Sequence, residues 1–152
     1  MEMGQYYLGV KRVLALKKTL GEYNKLRGLV IPSNEDPDTE GYYVIYEDGY
    51  ASWCPKKQFE EANRPIDAMT FGHAVEAMKR GEKVARKGWN GSGMFAYYVP
   101  AMVRAAKDSS EHTFEGMVYI RETLMLKTVQ NDHATWSPSG SDALAEDWNI
   151  VK

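Results

Sequence analysis

Apolar residues recur along this chain with two different periods, and each change of period marks an element. From Tyr6 to Leu16 the period is two. Leu8, Val10, Leu14 and Leu16 share one side and only Arg12 breaks it, so a strand is predicted. Leu20, Tyr23 and Leu26 then follow at helical spacing. Thr19-Leu20-Gly21-Glu22 has the spacing of a capping box, in which the threonine hydroxyl takes an early helix N–H and the glutamate reaches back. Gly28 supplies a stop, so a short helix is expected over Leu20 to Arg27. Ser33 to Gly41 is acidic and turn-rich, a loop. Tyr42 to Tyr46 and Tyr50 to Trp53 are aromatic and β-branched, and Glu47-Asp48-Gly49 joins them as a hairpin. Pro55 stands where a first helical residue would, ahead of a short helix from Lys56 to Ala62.

Asn63-Arg64-Pro65-Ile66-Asp67 reads as a junction, after which the pattern restarts. Thr70 is placed to cap a helix with Phe71, Ala74, Val75 and Met78 on one stripe, and Gly81 ends it. Lys83 to Arg86 and Met94 to Val99 read as strands on either side of a glycine-rich loop. Pro100 to Glu115 admits two readings: Ala101 to Lys107 fits a short helix, whereas Ser109, Ser110 and Gly116 point to a flexible insertion. Met117 to Val129 is the longest predicted strand, with Val118, Ile120, Leu124 and Leu126 on one side and Glu122 interrupting. Thr135 and Trp136 end another strand. Ser137 caps a short helix that Pro138 opens and Glu146 closes, and Trp148 to Val151 is a last strand.

One internal echo appears. Ser52-Trp53-Cys54-Pro55 and Thr135-Trp136-Ser137-Pro138 share the order hydroxyl, tryptophan, small residue, proline. In both, a strand end is expected to pin an indole at a corner while proline presets the next turn. The whole pattern predicts an α+β protein: small antiparallel sheets with short helices, in two small subdomains. The division is placed at residues 1–66, an accessory α+β domain, and 67–152, a ligand-holding α+β domain.

Composition narrows the function classes. Hydrophobic residues make up 43% and charged residues 26% of the 152 residues, the range of a folded globular chain. The net charge of -2 and a pI near 5.9 argue against a dedicated DNA or RNA binder. Cys54 is the single cysteine, so no internal disulfide is available. Residues 1–5 lack the basic and apolar regions of a signal peptide. No apolar run approaches the ~18 residues of a membrane span. A cytoplasmic location is expected, with no membrane partner.

The chemistry concentrates in residues 83–97. Trp89 and Asn90 stand at the apex of the loop, Arg86 and Lys87 precede them, and Gly91-Ser92-Gly93 follow. Asn-Gly is also a common turn pair, and a lone tryptophan is often only core. Yet an indole face, an amide and unhindered glycine N–H groups beside two cations suit a small nucleotide with a phosphate or pyrophosphate. Phe95, Tyr97 and Tyr98 are candidates to stack on a base. Trp136, Ser137, Ser139 and Asp142 form a second group, a capped helix start that also offers an anion site. Asp142, Glu146 and Asp147 there suit a ribose hydroxyl or amino group better than a phosphate. His73, His112 and His133 have no metal-site spacing, and no nucleophile–base pair stands out. No catalytic residue, metal or cofactor is assigned.

The segments Met69 to Met78, Gly81 to Ala85, Arg86-Lys87-Gly88-Trp89-Asn90-Gly91, Met94-Phe95 and Asp142-Ala143-Leu144-Ala145-Glu146-Asp147-Trp148 resemble the second Thoeris anti-defence family of phage proteins. The resemblance covers about residues 69–152; the residues before it resemble a small phage domain without a known activity. It implies a non-enzymatic sponge in the cytoplasm of the infected host. Such proteins bind glycocyclic ADP-ribose, a signal made by TIR-domain proteins, and in some cases cyclic dinucleotides, without cleaving them. It also implies a small α+β homotetramer with signal pockets between subunits. The residues assigned to ligand binding are Arg86, Trp89, Asn90, Met94, Tyr97, Trp136, Ser139, Asp142, Asp147 and Trp148. His73 stands where the family often has glutamate, and residues 100–115 depart from it. Two other classes compete: a nucleotide phosphodiesterase, and a structural or interaction module of a phage with its tryptophans as interface anchors.

Overall fold

The chain folds into two compact units, one up to Arg64 and one from Pro65 to Lys152. The computed structural model describes residues 5–152. The signal-peptide reading of residues 1–5 therefore falls outside the described residues except at Gln5.

The first unit contains β1 (Val13–Lys17), α1 (Leu20–Arg27), β2 (Gly41–Tyr46), β3 (Ala51–Pro55) and α2 (Lys56–Ala62). The strands form an antiparallel sheet in the order β1-β2-β3. The capping box of α1 forms as expected: Glu22 N–H donates to Thr19 Oγ1 and Thr19 N–H to Glu22 Oε2. Gly28 ends the helix at φ +65°, a left-handed conformation that costs glycine nothing. One sheet face is closed by α2, where the Tyr42 and Phe59 rings stack at 4.2 Å and Val44 is buried.

Two expectations for this unit are corrected. The first strand starts at Val13, not Tyr6, because its partner β2 reaches only Tyr46, opposite Val13, and then turns away. The shared side of its leucines is the open one: Leu14 and Leu16 are exposed, while Val13 and Ala15 turn toward the side that α2 covers. Pro55 is not the first helical residue. It pairs with Gly41 as the last residue of β3, its extended backbone at ψ 145°, and the helix begins after it.

The second unit contains α3 (Phe71–Lys79), β4 (Lys83–Arg86), β5 (Phe95–Val99), β6 (Met102–Ala105), β7 (Met117–Ile120), β8 (Thr123–Lys127), β9 (His133–Thr135), α4 (Gly140–Leu144) and β10 (Trp148–Val151). Five strands form one antiparallel sheet in the order β10-β4-β5-β8-β9. The predicted stripe of α3 lies on it: Ala74 and Met78 are buried with Val84, Ala96 and Trp148, and Phe71 and Val75 pack at the margin. Thr70 caps α3 by accepting the N–H of His73. Successive strand residues point to opposite faces, so the neighbours of Ala96, Phe95 and Tyr97, stand on the far side from this core.

Three further expectations are corrected here. Residues 101–107 do not form a helix; Met102–Ala105 is the strand β6. Met117–Val129 is not one strand. It breaks at Arg121-Glu122, because β7 pairs with β6 in a separate two-stranded ribbon while β8 joins the main sheet. Arg104 holds Glu111 across the ribbon's loop and, with the Lys107 N–H, draws that carboxyl down to about 2. Last, the short helix runs over Gly140–Leu144 with Ser139 as its cap, not Ser137. Ser139 has its own partner three residues on, Asp142, whose carboxylate takes the Ser139 N–H and completes a second capping box. Among the described residues no helix is long and apolar enough to cross a membrane.

Candidate functional site

The β4–β5 loop and the segment from Trp136 to Trp148 meet around a cluster of three indoles. Trp89 lies 5.9 Å from Trp136 and 5.3 Å from Trp148, centroid to centroid, with planes at 81° and 79°. Trp136 and Trp148 are 6.0 Å apart, and the Phe71 ring of α3 touches both. Edge-to-face pairs at these separations bring positive ring edges onto negative faces and hold each ring in place. Trp148 is wholly buried and serves as the floor. Trp89 and Trp136 are half-buried.

Asp142 organises this cluster. Its Oδ1 accepts from Trp89 Nε1 at 3.2 Å and from Arg86 at 3.0 Å, and its Oδ2 accepts from the Ser139 N–H and hydroxyl. Its backbone carbonyl accepts the Trp148 Nε1–H at 3.0 Å. One residue therefore orients two of the three indoles. Arg86, at the end of β4, reaches a second carboxylate, Asp147, at 2.9 Å. Asp147 in turn accepts the N–H of Gly88 at 2.9 Å. A Cβ on Gly88 would crowd that carboxylate at 3.2 Å. The antiparallel register explains the convergence, since Arg86 stands opposite Trp148 and so beside Asp147.

The charges respond to this arrangement. Its hydrogen bonds to the carboxylates of Asp147 and Asp142 hold the Arg86 guanidinium above its usual range. Burial raises the Asp142 carboxyl, but donors from Arg86, Ser139 and Trp89 outweigh it and leave the group below the ordinary aspartate value. Asp147 is also lowered, chiefly by Arg86. Ion pairs of this kind, at 20% and 13% side-chain exposure for Arg86 and Asp142, are shielded from solvent enough to fix geometry.

The residues singled out from sequence divide accordingly. Trp89, Trp136, Trp148, Arg86, Asp142, Asp147 and Ser139 come together. Asn90 stands exposed beside them, its side-chain amide without a partner among the described residues. Met94 packs beneath the loop, where a side chain on Gly91 would collide with it and with Val129. Tyr97 is elsewhere. It lines a cleft of about 330 Å³ with Lys83, Phe95 and His133, and its hydroxyl lies 2.8 Å from His133 Nδ1. Arg86, expected to face a pyrophosphate, is engaged by two carboxylates. Lys87 next to it is exposed and has no ion-pair partner among the described residues. Phe71 and Lys127 were missed. Phe71 reads as an ordinary core residue of a helix, and Lys127 Nζ donates to the Gly93 carbonyl at 3.0 Å across a strand pair that sequence order hides. The three histidines lie apart: His73 bonds Thr70, His133 bonds Tyr97, and His112 is exposed.

Residues 69–151, which contain all of these positions, match the family model of the Thoeris anti-defense 2-like domain. Over 88 residues the chain is 40% identical to a protein of Bacillus phage SP01 named Thoeris anti-defense 2. The match covers 55% of this chain and 94% of that relative.

Proposed function

Because the chain belongs to the Thoeris anti-defense 2-like family of phage anti-defence proteins, we propose that it acts by sequestering a cyclic nucleotide immune signal, a cyclic ADP-ribose derivative, without cleaving it. The observation that carries this reading is the half-open aromatic cluster of Trp89 and Trp136, held rigid from behind by Asp142 and Trp148. A prearranged indole face loses little entropy when a base stacks on it. Trp89 or Trp136 takes the adenine. Asn90 is free to hydrogen-bond a ribose or base edge, and Lys87 with the loop amides faces the phosphates. Arg86, Asp142, Asp147 and Ser139 act mostly on one another and keep the loop in shape. Competing with a host sensor requires a nanomolar dissociation constant, or about −12 kcal/mol. A half-open cluster on one chain falls short of the enclosure that such affinity needs, so a second subunit closes the pocket in a homotetramer. The Tyr97 cleft, with Phe95 and Lys83, suits a second and larger ligand such as a cyclic dinucleotide.

The test is recovery of the ligand. The protein is incubated with glycocyclic ADP-ribose, freed of unbound ligand and heated. Intact cyclic signal in the supernatant is the expected result. Appearance of a linear product would instead make the protein a phosphodiesterase, and no retained ligand at all would leave the tryptophans as interface anchors.

A further inference from the structure

The first unit carries an unfinished strand. The period-two pattern runs from Tyr6 to Leu16, but only Val13–Lys17 is paired. β2 ends opposite Val13, so residues 6–10 have no strand beside them, and no backbone hydrogen bond from another described residue reaches them. Their side chains are bare: Tyr6 and Leu8 are as exposed as in an extended chain, at 101% and 106%, and Tyr7 is 82% exposed. The outer edge of β1 is also unpaired among the described residues, since β1 is the first strand of the sheet. On its uncovered face, Leu14 and Leu16 are 64% and 42% exposed. The register continues that face through Ile45 and Tyr43 on β2 and Ala51 and Trp53 on β3. α2 covers the opposite face, and α1 reaches this one at Tyr43 through Tyr23.

An apolar segment with strand periodicity thus adjoins an open strand edge with an apolar face. Tyr6, Leu8 and Val10 share the parity of Leu14 and Leu16, but they continue the same strand and so cannot lie beside it within one chain. In an antiparallel pair about a two-fold axis they can: residues 6–10 of one copy run along β1 of the other, and the reverse. From this geometry we infer that residues 6–17 form an isologous β-strand interface between two copies of this chain. The three-stranded sheet becomes one continuous sheet across the pair. The arrangement closes at two because donor and acceptor are the same strand. It satisfies the backbone groups of residues 6–10 and the β1 edge together, and places Tyr6, Leu8 and Val10 next to the partner's exposed leucines. Lys11, already over the Tyr46 ring at 5.4 Å, stays on the α2 side of the sheet. The inference does not depend on what the second unit binds.

The test uses the full chain with Val10→Pro and, separately, Leu14→Lys. Val10→Pro removes a donor that no other described residue of the single chain uses. Leu14→Lys alters a side chain that is mostly in solvent. Melting profiles should therefore show both variants folded. Native mass spectrometry is expected to give half the subunit number of the parent for each. Hydrogen exchange on the parent should show amides of residues 6–10 protected, and the protection should fade on dilution. An unchanged subunit number in both variants, or amides of 6–10 that exchange freely at every concentration, overturns the interface.

Discussion

The two units solve the same problem with unequal means. From Pro65 onward, Met69, Ala74, Ala77, Met78, Val84, Ala96 and Trp148 form one buried cluster, with the indoles of Trp89 and Trp136 at its margin. Up to Arg64 the buried side chains among the described residues are Val44 and Asn24, supported by ring contacts at the surface. A unit of that size buries a small share of its surface, so its stability leans on edges, caps and partners rather than on a core. The second unit can hold a rigid half-open site because it has a core to mount it on; the first has apolar surface left to share.

Removing the best-buried indole should expose this contrast most clearly. Trp148→Ala takes away the floor of the cluster and is expected to cost about 3–5 kcal/mol. Trp53→Ala, in the first unit, removes a half-buried ring and one hydrogen bond to the Lys18 carbonyl, and should cost roughly 0.5–3 kcal/mol. Urea titrations followed by circular dichroism measure both. Equal losses would mean that the two indoles carry equal weight and that the contrast fails.

Asp142→Asn asks whether the site is rigid because of its charge. The asparagine keeps the shape but can accept less strongly from Arg86 and Trp89, at an expected cost of about 1.5–3 kcal/mol. Indole emission should shift to the red as Trp89 loosens, and affinity for the cyclic signal should fall at least tenfold. A variant with unchanged emission and affinity would show that packing alone holds the ring. Lys87→Ala, by contrast, should weaken ligand binding and leave both stability and emission where they were.

Two glycines compare the units at the level of single atoms. A Cβ on Gly41 collides with the Trp53 ring and the Cys54 carbonyl, and on Gly91 with Met94 and Val129. Overpacking costs roughly 1–3 kcal/mol, and Gly41→Ala should lie near the top because strand backbone cannot yield. Gly91→Ala should lie near the bottom, since the Met94 side chain is flexible. Melting temperatures rank the pair, and a larger drop for Gly91→Ala would reverse the argument.

Much of this was legible in the chain because local signals were strong. The α3 stripe, the Thr19–Glu22 box and the hairpin at Asp48-Gly49 rest on neighbours within a few residues, and all formed. What failed was decided by distant partners. Glu122 interrupts the apolar pattern, but it does not announce that β7 leaves the main sheet for β6. The leucines of β1 look like a core face because periodicity reports sidedness and not which side is covered. At the site, Trp89 and Asn90 were visible as a loop apex. The grip of Asp142 and Asp147 on Arg86, across 56 and 61 residues, was not. Ser137 and Ser139 are both competent caps, and only the Asp three residues beyond Ser139 separates them.

The smallest expected effect is on pH. Asp142 and Asp147 titrate below their unfolded values, so their contribution is complete above the unfolded aspartate range, about pH 4. It is lost as pH falls through the lowered folded values, because the unfolded chain then binds more protons. In the first unit Glu40 is lowered as well, by a fully solvated contact with Lys56 that water and salt weaken. Acid should therefore loosen the indole cluster more than it loosens the β2–α2 corner. Tryptophan emission and Tyr42 hydrogen exchange, followed from pH 6 to pH 2, report on the two separately. If the Tyr42 amide opens first, ion pairs do not distinguish the units, and the difference between them is a matter of buried area alone.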